Sequence, residues 1–370
     1  MSTKKMTKKQ KEKAVKEATA FFLKHKVLSI ILALIIVIGA VGYYFFFIKK
    51  PPKEIVGDIS FHFMLLGNDH PGDAVYIRAG ENDILIDAGS ETNSKDEIIS
   101  YINEYCKDNT LEYVIATHGD SDHIACFACS GGIFDTYKCL NIIDFPKTTK
   151  TTNTYNKYVE SRNKEVIDTQ NSHHYTALEC FNEVNGAKRT YQLSESVSME
   201  ILYNYYYDHT STEENNYSVC IMFHHGDRNF LFTGDLEEIA EKKLVEKNVL
   251  GKVELYKAGH HGSKSSSSSY LLSEIKPNIC VVDCVADDDS YGFPHQEFFD
   301  RISPYTSRVF VPSVANSIYT QGNEYAMLNG NIVVISDKDS VRVECSNNDT
   351  LLKDTVWFKN ERKMPSAWIA

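Results

Sequence analysis

The sequence predicts an α/β protein body preceded by a single membrane-spanning helix, and three features of the chain support this prediction. An uncharged apolar run occupies residues 27–48. Beyond residue 55, short apolar runs bounded by turn residues alternate with amphipathic segments, a pattern typical of strands and helices packed in layers. The chain has 370 residues, which is enough for one large domain with a sizeable core.

The apolar run at residues 27–48 has the length of a membrane span, because 22 residues of α-helix extend for about 33 Å. Nine lysines precede the run, and Lys49, Lys50 and Lys53 follow it. The positive-inside rule therefore places the N-terminus in the cytoplasm and the body outside the cell. A cleaved signal peptide is the alternative, but the apolar run continues beyond the weak cleavage sequence AVG. We expect an uncleaved anchor in the cell membrane.

Charge is divided between a basic N-terminal segment and an acidic body. Residues 1–50 contain eleven lysines and two glutamates, whereas the remaining residues contain 28 basic and 48 acidic side chains. This balance argues against a large basic surface for nucleic acid. We divide the chain into segments with these bounds: a cytoplasmic tail (1–26), the span (27–48), a linker (49–54), one folded domain (55–350) and a C-terminal extension (351–370).

The apolar runs of the body predict its strands and helices in chain order. Strands are expected at residues 59–66, 74–79, 84–87, 113–116, 197–203, 218–223, 229–233, 253–258 and 279–283, and further short strands end with residues 330–345. Helices are expected at residues 95–106, 236–247, 270–275 and 295–302. A polar stretch at residues 147–174 is interpreted as a surface insertion.

Metal-binding side chains follow three of the predicted strands. They are His118, Asp120, Asp122 and His123 after the strand LEYVIA, Asp235 at the end of NFLFTGD, and His260 and His261 at the end of VELYKAGHH. Carboxylate and imidazole groups are the ligands that divalent metals such as Zn²⁺ and Mn²⁺ use. Because three strand ends each carry such groups, we expect a metal site where these ends meet.

The order of these motifs resembles the metallo-β-lactamase superfamily of metallohydrolases, and within it the extracellular hydrolase domain of ComEC-type competence proteins. GDAVYIRAGENDILIDAGS is similar to the opening hairpin of the family, and THGDSDHIA resembles its H-x-D-x-D-H signature. The segments ENNYSVCIMF, FLFTGDLE, AGHHGSKSSSS and YGFPHQEFFDRI match later blocks in the same order. Asp120 stands where most of the superfamily has histidine, as it does in the ComEC-like branch.

The resemblance implies an αββα sandwich with two divalent metal ions, zinc or manganese. It implies that His118 and Asp120 hold one metal, Asp122 and His123 hold the other, and Asp235 bridges the two. His260 is the expected remaining ligand of the second metal, with His261 as the next candidate. Asp87 is expected to orient a ligand histidine, as carboxylates behind metal sites do.

Two such ions would give neighbouring residues roles in catalysis, and the resemblance adds His295 to them. Asp122 is expected to accept the proton of a metal-bound water or to orient the resulting hydroxide. His295 is expected to protonate the leaving group or to bind phosphate, and Ser263 and Lys264 to hydrogen-bond a phosphate oxygen. The alternative for the serine run at 263–269 is a flexible loop that caps the following helix.

One position departs from the common pattern of the superfamily. The segment STEENNYSV contains no histidine where a third ligand of the first metal is usual, so Glu214, Asn215 or water remain as candidates. More oxygen ligands would shift the preference from zinc toward manganese.

These features predict a membrane-anchored phosphodiesterase or nuclease that acts on DNA outside the membrane. A chain with one span would need a separate membrane channel as partner to move DNA. The alternatives are an esterase for cell-wall phosphodiesters of the choline-phosphate type, and an inactive extracellular binding or scaffold module.

Overall fold

The structure is a computed structural model that describes residues 7–24, 30, 57–67, 72–90, 94–286, 291–315 and 325–369. The chain forms two compact units, Met1–Pro52 and Lys53–Ala370. In the first unit, α1 spans Lys8–Lys24 and is rich in lysine. Within the described residues, no helix combines the length and the apolar character needed to cross a membrane. The predicted span at 27–48 lies outside the described residues, apart from Ile30.

The second unit contains short strands and helices whose bounds are as follows. The strands are β1 Ile59–Phe63, β2 Val75–Ala79, β3 Asn82–Ile86, β4 Thr110–Ile115, β5 Lys138–Asp144, β6 His173–Thr176, β7 Thr190–Gln192, β8 Val197–Ile201, β9 Ile221–His225, β10 Arg228–Phe232, β11 Leu255–Lys257, β12 Ile279–Val281, β13 Val285–Ala286, β14 Val309–Phe310, β15 Ser313–Ala315, β16 Tyr325–Met327, β17 Ile332–Ser336 and β18 Val341–Cys345. The helices are α2 Ser94–Ile102, α3 Ser121–Ile124, α4 Ile133–Thr136, α5 Asn153–Asp168, α6 Ala177–Asn182, α7 Glu238–Lys247, α8 Ser269–Ile275, α9 Gln296–Ile302 and α10 Val356–Glu361.

Two large sheets form the centre of this unit, which has the mixed α/β architecture that the sequence predicted. The strand order is β18-β17-β1-β2-β3-β4-β5-β6 in the first sheet and β14-β12-β11-β10-β9-β8-β7 in the second. Their facing sides share one core, in which the Phe61 ring of the first sheet lies 4.7 Å from the Phe230 ring of the second. A smaller sheet contains β13, β15 and β16.

Helices cover the outer faces of the two large sheets. Ile98 of α2 and Tyr158 of α5 belong to the core that includes the first sheet. On the other side, Leu244 of α7, Leu271 of α8 and Phe298 of α9 form a second core with outward-facing residues of the second sheet. The resulting order is helices, sheet, sheet, helices, because each sheet buries one apolar face against its partner and the other against helices.

Two regions depart from the expected arrangement. Residues 147–174 contain α5, which begins after the capping residue Thr152 and buries Tyr158 and Glu165. At the C-terminal end, Trp357, Phe358 and Trp368 belong to the core shared with α7–α9. Residues beyond 350 therefore contribute buried side chains to the same unit.

The connectivity brings the metal-binding motifs to one edge of the sandwich. β3 and β4 are parallel, and the backbone N–H of Asp87 just after β3 donates to the carbonyl of Ile115 at the end of β4. β10 and β11 are also parallel neighbours, in the second sheet. The carboxyl ends of these four strands carry the motif loops, so their polar side chains converge.

Candidate metal centre

A pocket of about 480 Å³ opens where these strand ends meet. Six polar residues that line the pocket come from the loops after β4, β8, β10 and β11: Asp120, Asp122, Asn215, Asp235, His260 and His261. The predicted ligands therefore lie in or directly beside one cavity.

Four side chains form what we call the inner cluster, namely Asp122, His123, Asp235 and His261. The His123 Nε2 atom lies 3.2 Å from Asp235 Oδ2 and 3.7 Å from Asp122 Oδ2. The His261 Nε2 atom lies 3.4 Å from Asp122 Oδ2 and 3.5 Å from Asp235 Oδ2. Two imidazole nitrogens and two carboxylates thus face one point, which is a donor set suited to a divalent metal ion.

The two histidine rings of the inner cluster are held from behind. His123 Nδ1 donates to Asp87 Oδ2 at 2.7 Å, and the Asp87 carboxylate also accepts hydrogen bonds from the backbone N–H and the hydroxyl of Thr117. His261 Nδ1 donates to the Asp283 carbonyl at 2.7 Å. Because each Nδ1 is held by an acceptor behind the ring, each Nε2 faces the two carboxylates and is the atom available to a metal ion.

Buried atoms without hydrogen bonds support a metal at this position. Within the described part of the chain, His123 Nε2, Asp235 Oδ1 and His118 Nε2 are buried and make no hydrogen bond. Buried polar atoms are normally paired, and metal ions bound among these side chains would pair all three. The donor set therefore fits a metal cofactor.

Electrostatics in the inner cluster favour a bound cation. Burial raises the pKa of Asp235, but the neighbouring His123 and His261 outweigh this effect and hold it well below its usual value. Burial lowers the pKa of His261, but Asp73 and Asp235 outweigh this effect and raise it well above its usual value. Without metal, protons on the imidazoles balance the carboxylates, and a metal ion would replace those protons.

Asp73 and Lys257 are buried groups of this site that the sequence interpretation missed. Asp73 has a ligand atom within 4.8 Å of atoms from His123, Asp235 and His261. Its Oδ1 faces His261 Nδ1 at 3.3 Å, on the side of the ring away from Asp122, and its other oxygen pairs with the Lys257 ammonium. Asp73 therefore supports the rings from behind. The signal in the sequence was a lysine inside the buried strand VELYKAG.

We call His118, Asp120 and His260 the outer cluster, and these residues are less closely grouped. The His118 Nε2 atom lies 3.4 Å from Asp120 Oδ2, and the His260 Nε2 atom lies 3.9 Å from Asp235 Oδ2. The other oxygen of Asp120 contacts the ammonium group of Lys150. The side chains of Asp120 and His260 are 27% and 23% exposed.

Glu214 and Asn215 occupy the segment that lacks the third histidine. The Glu214 carboxylate accepts hydrogen bonds from the N–H of Gly119 and from Thr148 and Thr149, so it is occupied in holding these loops together. Asn215 instead lines the pocket, and its Nδ2 lies 3.4 Å from His260 Nδ1. Of these two residues, Asn215 is the one available to a ligand in the pocket.

The predicted phosphate-binding residues lie beside the pocket and not in its described lining. The Ser263 hydroxyl is within hydrogen-bonding distance of the Ser265 hydroxyl, and Lys264 is exposed. His295 Nδ1 accepts the backbone N–H of Lys264 at 3.1 Å, and burial lowers its pKa. A neutral His295 with Nδ1 acting as acceptor carries its proton on Nε2.

The serine-rich loop is fixed by a buried glutamate and a half-buried arginine. The Glu241 carboxylate accepts the N–H groups of Ser267 and Ser268 at 2.6 and 2.7 Å, and Arg301 donates to the carbonyls of residues 263, 264, 266 and 267. The Ser268 side chain caps α8, as the alternative interpretation of this run expected. Ser265 contacts Glu237 and His260, so the loop supports the outer cluster.

Comparison with known proteins confirms the resemblance inferred from the motifs. Residues 67–128 match the model of the metallo-beta-lactamase superfamily. The chain is 32% identical over 105 residues to Recombination protein 2 of Haemophilus influenzae, covering 28% of this chain and 13% of that protein. It is 27% identical over 96 residues to ComE operon protein 3 of Bacillus subtilis, covering 26% of this chain and 12% of that protein. The chain thus spans a small part of these relatives.

The solved structures that this chain is similar to share little sequence with it. The metallo-beta-lactamase fold protein YhfI of Bacillus subtilis is 11% identical, with a TM-score of 0.41 over 70% of this chain and 96% of that one. The short form of human tRNase Z is 13% identical, with a TM-score of 0.33 over 60% of this chain and 91% of that one.

Proposed function

We propose that this protein is a membrane-anchored, metal-dependent phosphodiesterase whose domain acts outside the membrane, with DNA as its substrate. The observation that carries the proposal is the inner cluster, where two oriented histidines and two carboxylates face one point in an open pocket. Support for DNA comes from the relatives named for recombination and competence, although each is matched over a small part of its length.

We propose that the inner cluster holds one divalent ion, zinc or manganese, and that the outer cluster takes part in holding a second. Asp122, His123 and His261 would be the ligands of the ion in the inner cluster, and His118 and Asp120 those of the ion in the outer cluster. Asp235 faces both His123 and His260 and would bridge the two. In this assignment His261, and not His260, completes the inner set, because its Nε2 is closer to both carboxylates.

The chemistry of the reaction follows from the ligands and the groups around them. Divalent ions held here would lower the pKa of a bound water molecule and bind an anionic phosphate oxygen. Asp122 is 39% exposed, so its carboxylate can both face the ion and accept a proton from the pocket. Asp87 and the Asp283 carbonyl keep both ligand rings in one orientation during turnover.

The body of the protein is acidic, and the pocket presents Asp120, Asp122 and Asp235 to any substrate. A phosphodiester would therefore be repelled unless cations offset these carboxylates. Metal ions and Lys150, which contacts Asp120, supply that positive charge. We expect turnover to depend on added metal for binding as well as for chemistry.

Hydrolysis of three substrates by the purified full chain tests the proposal. They are single-stranded DNA, bis-p-nitrophenyl phosphate and a choline phosphodiester, each with added Mn²⁺ or Zn²⁺. Cleavage of DNA that is lost in an Asp122→Ala/Asp235→Ala variant supports the nuclease. Cleavage of the choline ester alone would favour a cell-wall substrate. Equal background from the two proteins on all three substrates would leave an inactive binding module.

The membrane anchor is tested separately in cells. We expect the full chain to resist extraction of membranes with alkaline carbonate and to release its domain when intact cells are treated with protease. A chain found in the soluble fraction would contradict the anchor. A domain that protease reaches only after lysis would contradict the proposed orientation.

A further inference from the structure

Two aromatic rings form part of the wall of the pocket, beside the metal-binding residues. The rings of Tyr291 and Phe293 are nearly parallel, with an interplanar angle of 8° and centroids 5.4 Å apart. Phe293 is buried by its neighbours, whereas Tyr291 is 66% exposed. We call this pair the aromatic platform. An exposed tyrosine supported by a buried ring presents one flat face to whatever enters the pocket.

Neighbouring groups fix the base of the platform. Arg362 donates to the carbonyl of Gly292 at 2.8 Å and to that of Pro294 at 3.0 Å, on both sides of Phe293. The backbone N–H of His295 donates to the carbonyl of Gly262 at 2.9 Å. Gly262 has a positive φ of 77°, and a Cβ atom there would lie 2.6 Å from Pro294. The platform is therefore tied to the turn that carries His260 and His261.

This attachment sets the position of the platform relative to the proposed reaction. The Phe293 ring lies 5.4 Å from the His260 ring and 5.7 Å from the His261 ring. Tyr291 and Phe293 line the same cavity as Asp122 and Asp235. A phosphodiester at the metal centre would thus place one of its two substituents next to the exposed ring of Tyr291.

We propose that the aromatic platform binds a nucleobase attached to the phosphodiester that is cleaved, with Tyr291 as the stacking residue. The inference rests on the proposed phosphodiesterase function and deepens it, because it assigns the residue that binds the base of a nucleotide substrate. The alternative choline substrate carries a quaternary ammonium group, which is best held by several aromatic faces around it. In the described pocket lining, the platform offers one flat tyrosine face, which matches the single plane of a base.

The test compares two esters with the same leaving group. Thymidine 5′-(p-nitrophenyl phosphate) carries a base, whereas methyl p-nitrophenyl phosphate carries none. The full chain and its Tyr291→Ala and Tyr291→Phe variants are assayed on both. Tyr270→Ala is the matched control, because Tyr270 is 50% exposed and lies outside the described pocket lining. Its ring makes a cation–π contact with the Lys242 ammonium group.

We expect Tyr291→Ala to raise KM for the thymidine ester by about 5- to 150-fold, the range for loss of one base stack. The kcat for that ester and the kcat/KM for the methyl ester should stay within about twofold. Tyr291→Phe keeps the ring and should behave as the wild type. An equal loss on both esters, or no loss on either, would overturn the proposal.

Calorimetric binding of thymidine monophosphate and methyl phosphate separates this proposal from the proposed activity. If the wild type hydrolyses neither ester but binds the thymidine compound more tightly through Tyr291, the activity is wrong and the base site stands. If it hydrolyses both esters and Tyr291→Ala binds both phosphates as the wild type does, the base site is wrong and the activity stands.

Discussion

The inner and outer clusters of the pocket contain similar residue types but differ in how the structure supports them. In the inner cluster, His123 and Asp235 are almost fully buried, and each histidine ring is held by a hydrogen bond from behind. In the outer cluster, Asp120 is more exposed and is paired with Lys150. The segment that would supply a third histidine has Asn215 in the pocket instead.

This difference indicates that ligand identity alone does not set metal affinity. Groups that fix the orientation of ligands contribute about 10- to 100-fold in affinity, and here they are concentrated around His123 and His261. A lysine beside Asp120 must be displaced or repelled by a metal ion that binds there. We therefore expect the inner cluster to bind metal first and more tightly.

Asp235→Ala should have the largest effect, because Asp235 faces both clusters. We expect kcat/KM for bis-p-nitrophenyl phosphate to fall on the order of 10³-fold or more, since several kcal/mol of metal-based stabilisation would be lost. Asp227→Ala, in an exposed turn, is the matched control. Activity within tenfold of the wild type would show that the two clusters do not share a ligand.

The Glu241 carboxyl group, which holds the loop that supports the outer cluster, should make the stability of the protein depend on pH. Burial raises the pKa of Glu241 to about 7. A carboxyl group whose pKa is higher in the folded than in the unfolded protein stabilises the fold at pH values below its unfolded pKa. It loses that contribution as the pH rises through its folded pKa. We expect the free energy of unfolding to fall by about 1.4 kcal/mol per pH unit between roughly pH 4.5 and 7.

Urea unfolding of the wild type and of Glu241→Gln at several pH values measures this slope. The amide does not ionise, so the difference in stability between the two proteins should change over that interval and become constant above it. A difference that does not vary with pH would show that Glu241 is ionised in the folded protein throughout.

His261→Ala and His260→Ala separate the clusters directly, because the two residues are adjacent in sequence. We expect His261→Ala to weaken metal binding at the tighter site by at least about 100-fold. Removing a group that only hydrogen-bonds to a ligand costs about 10- to 100-fold, and His261 would be a ligand itself. His260→Ala should leave that site nearly intact and weaken only the second. Metal titration with a chromophoric competitor measures the affinities of both sites. A larger loss at the tighter site in His260→Ala than in His261→Ala would restore His260 as the inner ligand.

Lys150→Met should have the smallest effect and should strengthen binding. Removing the ammonium group frees Asp120, so affinity at the outer cluster should rise by up to about fivefold, a modest change because both groups are partly exposed. Lys157→Met on α5 is the control, since Lys157 is exposed. Weaker metal binding in Lys150→Met would mean that Lys150 positions Asp120 for the metal.

The sequence predicted those parts of the molecule that depend on local pattern. Apolar strands with polar residues at their ends are visible without a structure, which is why the loop containing His118–His123 and the convergence of strand ends could be expected. The helix α5 was missed because its apolar face is narrow: Tyr158 is buried, whereas Tyr155, Val159 and Val166 are only partly buried and polar residues surround them.

Contacts between distant residues could not be read from the sequence. Asp73 pairs with Lys257, which lies more than 180 residues away in the sequence. The Glu214 carboxylate accepts hydrogen bonds from Gly119 and Thr149, whose loops meet only in the folded protein. The distinction between His260 and His261 also depends on where each ring points. Both are adjacent to glycine after the same strand, so only three-dimensional geometry separates them.

Metal content and metal-dependent turnover of the full chain test the central claim most directly. The protein is purified without chelator, and zinc or manganese per chain is measured by elemental analysis as free metal is raised, alongside hydrolysis of bis-p-nitrophenyl phosphate. We predict one tightly bound ion, a second at higher free metal, and loss of both ions and of turnover in Asp122→Ala/Asp235→Ala. Equal metal content and equal turnover in the wild type and the variant would contradict a metal centre at this site.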